Sequence, residues 1–350
     1  MCNIAGYIGK KRAAPILIDM LKREEGFDAG FYTGIATLHE GKIYYAKVVG
    51  DVDVLLRETN AYDLPGNIGI IHSRTPGGRI TGGSREWAHP FVAERGGEVY
   101  LAHVSNGGAG FFKNKNDTFA IANELIAKGY TMKSREKTPV QMHVGMRDGT
   151  SMHISDLGTQ YAAMLLDKGM ELADAAEGLL EGINMEDVDL YISTRCPGKI
   201  AFAKVNQPMA VAFDNEGAYL ATSAMAFPDG LGEPTHLPSF TSGYVECDSI
   251  TVRPFKKPIC SVTPFDTKLL VRAYGIIKKA LETEKQTVDS LRKIISPEVC
   301  EGDVTPLSLT VYEVLRALKN EGVLKQENVR IPGRIEGLTA PLTYWWIGES

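Results

Sequence analysis

The amino-acid sequence predicts an α+β layered fold followed by a smaller helical unit, on three observations. Strand-like stretches fill the first hundred residues, helices follow, and strands return from residue 188; strands, helices and strands in blocks segregate into layers. The first stretch, residues 2–8 (CNIAGYI), is apolar on both faces, as suits a strand covered on both sides. Beyond Pro264 the pattern turns helical. At 350 residues the chain exceeds one average domain, so a division into residues 1–262 and 263–350 is expected.

Residues 13–22 (AAPILIDMLK) place Ile16, Met20 and their apolar neighbours on one helical face, with Gly26 as a stop. Strands are expected at residues 34–38, 42–49, 67–72 and 99–104, separated by Gly, Pro and Asn turns and mostly joined as hairpins. Residues 118–128 (TFAIANELIAK) read as an amphipathic helix capped by Asp117. The block after Ser155-Asp156 carries two helices divided around Lys168-Gly169. Strands return at 188–193, 200–204, 208–213, 219–222 and 243–252, and the Pro- and Gly-rich stretch 227–240 reads as a surface connection. From Thr267 three helical stretches lead to short strand-like pieces between residues 333 and 347, a pattern resembling a small helical or winged-helix unit.

With 44% hydrophobic and 23% charged residues the chain has the means to build a sizeable core. A net charge of −5 gives no global basic footprint for nucleic acid or an anionic membrane, and small polar substrates fit better. Cys2, Cys196, Cys247, Cys260 and Cys300 are scattered, with no CxxC pair and no His at zinc-ligand spacing. Neither a metal site, a cofactor nor a disulfide framework is expected. The opening MCNIAGYIGKKRAAP lacks a charged lead before an apolar block, and no run approaches the roughly 18 apolar residues that span a bilayer. A cytoplasmic, reduced protein is the expectation.

A cysteine directly after the initiator Met is the first chemical clue. A small second side chain permits Met removal and exposes a residue bearing both thiol and α-amine. An unperturbed α-amine titrates at about 7.7 to 8.0, near enough to neutral to act as general base for the thiol beside it.

In context the chain resembles the class II glutamine amidotransferases, most closely the glutaminase domain of glucosamine-6-phosphate synthase. MCNIAGYIG looks like that family's MCGIVGYIG, EGFDAGFYTGIAT like RGYDSAGIAV, and GNIGIIHSRTPGG like GIAHTRWATHG. WAHPF resembles NAHPH, LAHVSNGGAGFF resembles VVHNGIIEN, SDLGTQYAAML resembles SDTEVIAHL, and GYVECDSITV resembles the terminal GDIAEI strand. The matches keep the family's order over residues 2–260. The resemblance implies a four-layer α/β/β/α sandwich of the N-terminal-nucleophile hydrolase kind over those residues; the helical or winged-helix-like C-terminal domain rests on the pattern after Thr267 alone.

It further implies Cys2 as nucleophile and base, with Asn106 and Gly107 as the oxyanion hole. Arg74 falls on the clamp for the glutamine α-carboxylate, a task suited to a planar fork. Asp156 falls on the partner of the α-ammonium, and Thr75 and His89 are the remaining substrate-binding candidates. His72 and His103 also fall at family positions and read as structural. Each residue has a plainer reading: Asn106-Gly107 is a standard type I′ turn, Asp156 a helix cap, Arg74 a surface arginine.

Four features depart from the family. Asn3 replaces the glycine after the nucleophile, Glu25 stands at an arginine position, Thr75-Pro76-Gly77-Gly78 replaces Trp-Ala-Thr-His, and residues 135–154 are inserted before Asp156. The implied reaction is hydrolysis of the glutamine side-chain amide to glutamate and ammonia. Nothing after residue 262 reads as a phosphosugar or nucleotide site, so the acceptor is expected on a separate synthase subunit; a homo-oligomer is compatible with the sequence. The rival readings are an amide hydrolase of the same fold with another substrate, a non-catalytic glutamine-sensing module, and a DNA-binding regulator resting on the tail alone.

Overall fold

Strand β1 (Asn3–Gly9) buries all seven of its residues, and the computed structural model shows why: it runs through the middle of a sheet covered on both faces. The structure describes residues 2–74, 84–108, 117–137, 144–183, 185–257, 261–300, 305–333 and 337–348. The first sheet also contains β2 (Tyr32–His39), β3 (Lys42–Val49), β4 (Ile68–Ser73), β12 (Ala210–Asp214), β13 (Gly217–Ala221) and β14 (Thr235–His236). Its order is β14-β12-β13-β1-β4-β2-β3. The second comprises β5 (Phe91–Arg95), β6 (Glu98–Gly108), β10 (Glu186–Ser193), β11 (Ile200–Lys204), β15 (Thr241–Val245) and β16 (Ile250–Pro254), in the order β16-β15-β11-β10-β6-β5.

The strand alternation sorts side chains between layers. Ile4 and Ile8 of β1 meet Val104, Leu190 and Phe202 in a core between the two sheets. Ala5 and Tyr7 face the other way, against Leu17 and Leu21 of α1 (Ala13–Glu24), with α2 (Val52–Glu58) beside them. On the far side, Leu101 and Tyr191 pack under α4 (Ile154–Asp167) and α5 (Leu172–Ile183), through Leu157 and Leu179. Helix, sheet, sheet and helix are thus the four layers that the resemblance implies. Helix α3 (Thr118–Ala127) begins as expected at Asp117, whose Oδ1 accepts the Ala120 N–H at 3.0 Å.

Several expectations need correction. Residues 243–252 are not one strand but the hairpin β15–β16, turned at Glu246, whose N–H donates to the Ser249 carbonyl at 2.9 Å; the polar Cys-Asp-Ser run is the turn signal. Helix α2 and strand β5 were not expected, and the former starts at Asp51, which accepts from Val54 N–H. The connection 227–240 contributes the edge strand β14. The inserted stretch folds into a small sheet of β7 (Glu136–Lys137), β8 (Val144–Gly145) and β9 (Thr150–Met152), in the order β7-β9-β8.

Beyond residue 262 lie α6 (Thr267–Thr283), α7 (Val288–Val299), α8 (Leu307–Asn320) and a hairpin of β17 (Leu324–Pro332) with β18 (Thr339–Ile347). These strands are nine residues each, longer than the sequence suggests. Leu269, Ile277, Leu291, Val311, Leu315 and Trp345 form their core, which also takes in Phe27 and Met225 from the layered part. Among the described residues no helix is long and apolar enough to cross a membrane.

Candidate active site between the sheets

The alternation that sends Ile4 and Ile8 between the sheets sends Cys2 the same way, and on β6 it does so for Ala102, Val104 and then Asn106. The two residues meet from opposite sheets: Cys2 N–H donates to Asn106 Oδ1 at 3.1 Å. Asn106 is 1% exposed, and its Nδ2 has no hydrogen-bond partner among the described residues. With Oδ1 held by the Cys2 nitrogen, the amide N–H groups point away from it. Gly107 sits opposite Asp187 on β10 at φ +139. A Cβ there would collide with the Glu186 carbonyl oxygen and the Asp187 carboxylate, so glycine is required on both conformational and steric grounds. Asn106-Gly107 is therefore part of a long strand, not a type I′ turn. Burial, then the neighbouring Asp189 and Glu186 carboxyls, push the Asp187 carboxyl well above the ordinary carboxylate range.

Arg74 follows β4 and is fixed by its backbone. Its N–H donates to the Tyr32 carbonyl at 2.9 Å and its carbonyl accepts from Phe31 N–H at 3.2 Å. The guanidinium lies over the Tyr32 ring, 5.5 Å from the centroid. Arg74 is buried, not a surface arginine. Burial lowers its pKa while the Cys2 thiol, when ionised, opposes that shift, so Arg74 and Cys2 are within electrostatic reach of each other. Thr75 lies outside the described residues.

Asp156 is buried in the first turn of α4. One carboxylate oxygen accepts from Ser134 N–H at 2.8 Å and Ser134 Oγ at 2.7 Å, the other from Gln160 Nε2 at 3.3 Å. Burial pushes its pKa up and these hydrogen bonds oppose the rise. The cap of α4 is His153, whose Nδ1 accepts from Ser155 N–H at 3.1 Å, so the capping reading of Asp156 fails. The structure joins this helix to β6 through hydroxyls: Ser155 Oγ and Ser105 Oγ are 2.8 Å apart, and Ser105 Oγ is 3.3 Å from His89 Nε2. No sequence spacing signals Ser105, Ser134 or Ser155, because each partner comes from a different element.

His89 stacks on His72 with centroids 3.9 Å apart, and His153 lies 5.4 Å from His89. His103 instead stacks on Tyr191 at 4.2 Å and meets Thr159 and Asp189. Burial, then the charge of Arg74, holds His72 at about 3. Burial, then His72, holds His89 well below the ordinary imidazole range. Imidazoles so weakly basic are poor general bases at neutral pH.

Glu25, at the family's arginine position, is a buried acid. Its carboxylate accepts from Ser73 Oγ at 2.7 Å and from Val52 N–H at 3.0 and 3.2 Å. Burial raises its pKa from 4.5 to about 7. A carboxyl with a higher pKa folded than unfolded favours the folded state at low pH, and that contribution is lost as pH climbs from about 4.5 to about 7. Glu25→Gln should therefore flatten the fall of Tm across that window, as a melting series in steps of pH would show; an unchanged slope would mean another group titrates there.

No protein-family model matches the chain. It is 29% identical over 219 residues to a glutamine–fructose-6-phosphate aminotransferase of Pyrococcus horikoshii, covering 58% of this chain and 34% of that protein. It is also 29% identical over 280 residues to the protein of the same description from Bartonella quintana, covering 77% of this chain and 40% of that one. The chain thus spans about a third to two fifths of the length of these curated relatives. Among solved structures, a glutamine phosphoribosylpyrophosphate amidotransferase from B. subtilis aligns with a TM-score of 0.58 at 14% identity, over 93% of this chain and 66% of that one. At that identity the likeness is one of fold.

Proposed function

We propose that this chain, which is related to the class II glutamine amidotransferases, hydrolyses the side-chain amide of glutamine with Cys2 as nucleophile once Met1 is removed. The observation that carries the proposal is the pairing of Cys2 N with Asn106 Oδ1, which leaves the buried Asn106 Nδ2 without a partner. A buried donor left unmade costs about 1–3 kcal/mol, and an oxyanion forming beside Cys2 would satisfy it.

In the proposed reaction the Cys2 α-amine takes the thiol proton and the thiolate attacks the carboxamide carbon. The carbonyl π electrons move onto oxygen, which receives Asn106 Nδ2 and Gly107 N–H. Collapse of the tetrahedral adduct breaks the C–N bond, the α-amine's proton goes to the departing ammonia, and a thioester remains. Water, deprotonated by the same amine, cleaves the thioester to glutamate. Arg74 holds the α-carboxylate and Asp156 the α-ammonium, with Thr75 and His89 lining the substrate. Residues 1–262 form the glutaminase unit, 263–350 a second domain, and the ammonia passes to an acceptor on another chain.

The direct test is to incubate the purified protein with glutamine and quantify glutamate and ammonia. Hydrolysis of other amides with no response to glutamine would favour an amide hydrolase of different specificity, and no turnover at all a sensing module. Single residues divide by step. Asn106→Ala should lower kcat by roughly 10²- to 10³-fold, since the oxyanion exists only near the transition state. Arg74→Ala and Asp156→Ala should raise KM instead, tenfold for each roughly 1.4 kcal/mol of binding lost. The reverse pattern in steady-state kinetics would show that binding and chemical roles are exchanged.

A further inference from the structure

The C-terminal elements dock on the segment that leads from α1 to β2, immediately behind the site. Phe27 of this arm packs against Tyr312 of α8, with ring centroids 5.9 Å apart, and edge-on against Trp345 of β18 at 5.3 Å. Asp28 pairs with Arg292 of α7 at 3.4 Å. Gly30, at φ +113, is pressed so close to Pro341 that a Cβ would stand 2.5 Å from the proline Cδ. The arm ends at Phe31 and Tyr32, the two residues that hold the Arg74 backbone.

At the arm's other end the Glu24 carboxyl, which accepts from Ser223 N–H at 3.1 Å, faces the Asn3 carboxamide; the Tyr312 hydroxyl faces it too. All three residues are buried. Both Asn3 amide atoms, Glu24 Oε1 and the Tyr312 hydroxyl close no hydrogen bond of standard geometry. Packing alone would favour apolar groups of the same shape here. Asn3 is also the residue beside the nucleophile, where the family's motif has glycine.

We propose that α8 and the β17–β18 hairpin are positioning elements of the Cys2 site, Tyr312 acting through Asn3 on the nucleophile and the Phe27 arm acting on Arg74. The kinetic form of this inference rests on the glutaminase reading; its structural form does not. A displacement of about 1 Å at a reacting group can cost 10²-fold in rate, so a contact one residue from Cys2 has leverage without touching substrate.

The test is a double-mutant cycle in the full chain with Tyr312→Phe, Asn3→Gly and both together. It reads kcat and KM for glutamine, Tm, and the rate at which iodoacetamide alkylates Cys2, followed by peptide mass spectrometry. Tyr312→Phe should lower kcat roughly tenfold with KM within about twofold, and change the alkylation rate at least about threefold. Tm should hold or rise, since the lost hydroxyl is buried and its contact with Asn3 closes no hydrogen bond of standard geometry; a merely structural tyrosine would lower Tm and spare the kinetics. In the Asn3→Gly background Tyr312→Phe should add nothing further. Kinetics and alkylation within about twofold of wild type, or fully additive effects, would overturn the proposal. Should Tyr312→Phe not fold, Asn3→Gly removes the same contact from the other side and must by itself change alkylation. If the wild type consumes no glutamine, a coupled change in alkylation still supports the positioning role while the glutaminase reading falls.

Discussion

Replacement of Cys2 by alanine should abolish the proposed glutamine hydrolysis, with a loss of more than about 10³-fold, because in the proposed reaction its sulfur forms the thioester. The fold should survive. Cys2 is only half-buried, and alanine replaces one small side chain by another at the entrance to β1, whose seven buried residues are untouched. Far-ultraviolet circular dichroism and melting would confirm a native protein, and the ammonia assay would read the loss. Retention of more than a few per cent of activity would remove Cys2 as nucleophile. Cys196, Cys247 and Cys300, free thiols in the structure, and Cys260, outside the described residues, should each be replaceable without loss.

An effect of the same size is expected from blocking the Cys2 nitrogen. In this mechanism the base is the α-amine, and a peptide bond at that atom turns an amine of pKa about 8 into an amide with no useful basicity. The active protein should therefore begin at Cys2 by intact mass, and a variant with an uncleavable N-terminal extension should be folded and inactive. An extension after Ser350 should be tolerated. Full turnover by a chain shown by mass to retain Met1 would refute the role of the amine. The base would then have to come from elsewhere, and His72 and His89, buried and held far below the ordinary imidazole range, are poorly suited to the task.

Local chemistry explains why many elements were legible in the sequence. Asp117, the periodicity of residues 118–128 and the break at Lys168-Gly169 are signals within a few residues of the features they set, so those helices lie where expected. The short α2 and the split of 243–252 were missed because a seven-residue helix has little periodicity and a two-stranded hairpin of alternating residues mimics one strand. The candidate site divides the same way. Cys2, Arg74, Asn106 and Gly107 could be named because they recur in ordered motifs. Ser134, Ser155 and His153 could not, since they matter through partners at distant or unpatterned positions.

By itself, then, the sequence determined the layered α+β character and the helical tail, and its motif order named the candidate groups for amide chemistry, because periodicity and motif order are properties of the chain as written. The tertiary structure alone decided what those groups face. Cys2 N and Asn106 Oδ1 stand 104 positions apart and meet because β1 and β6 belong to facing sheets. Asn106-Gly107 continues a strand rather than turning, because β10 pairs with it and leaves room for no Cβ. Asn3 and Glu25, which read as bare departures from a motif, are buried against Tyr312 and against Ser73 and Val52. Contacts of that kind depend on how layers and helices close over one another, and the spacing of residues along the chain carries no record of it.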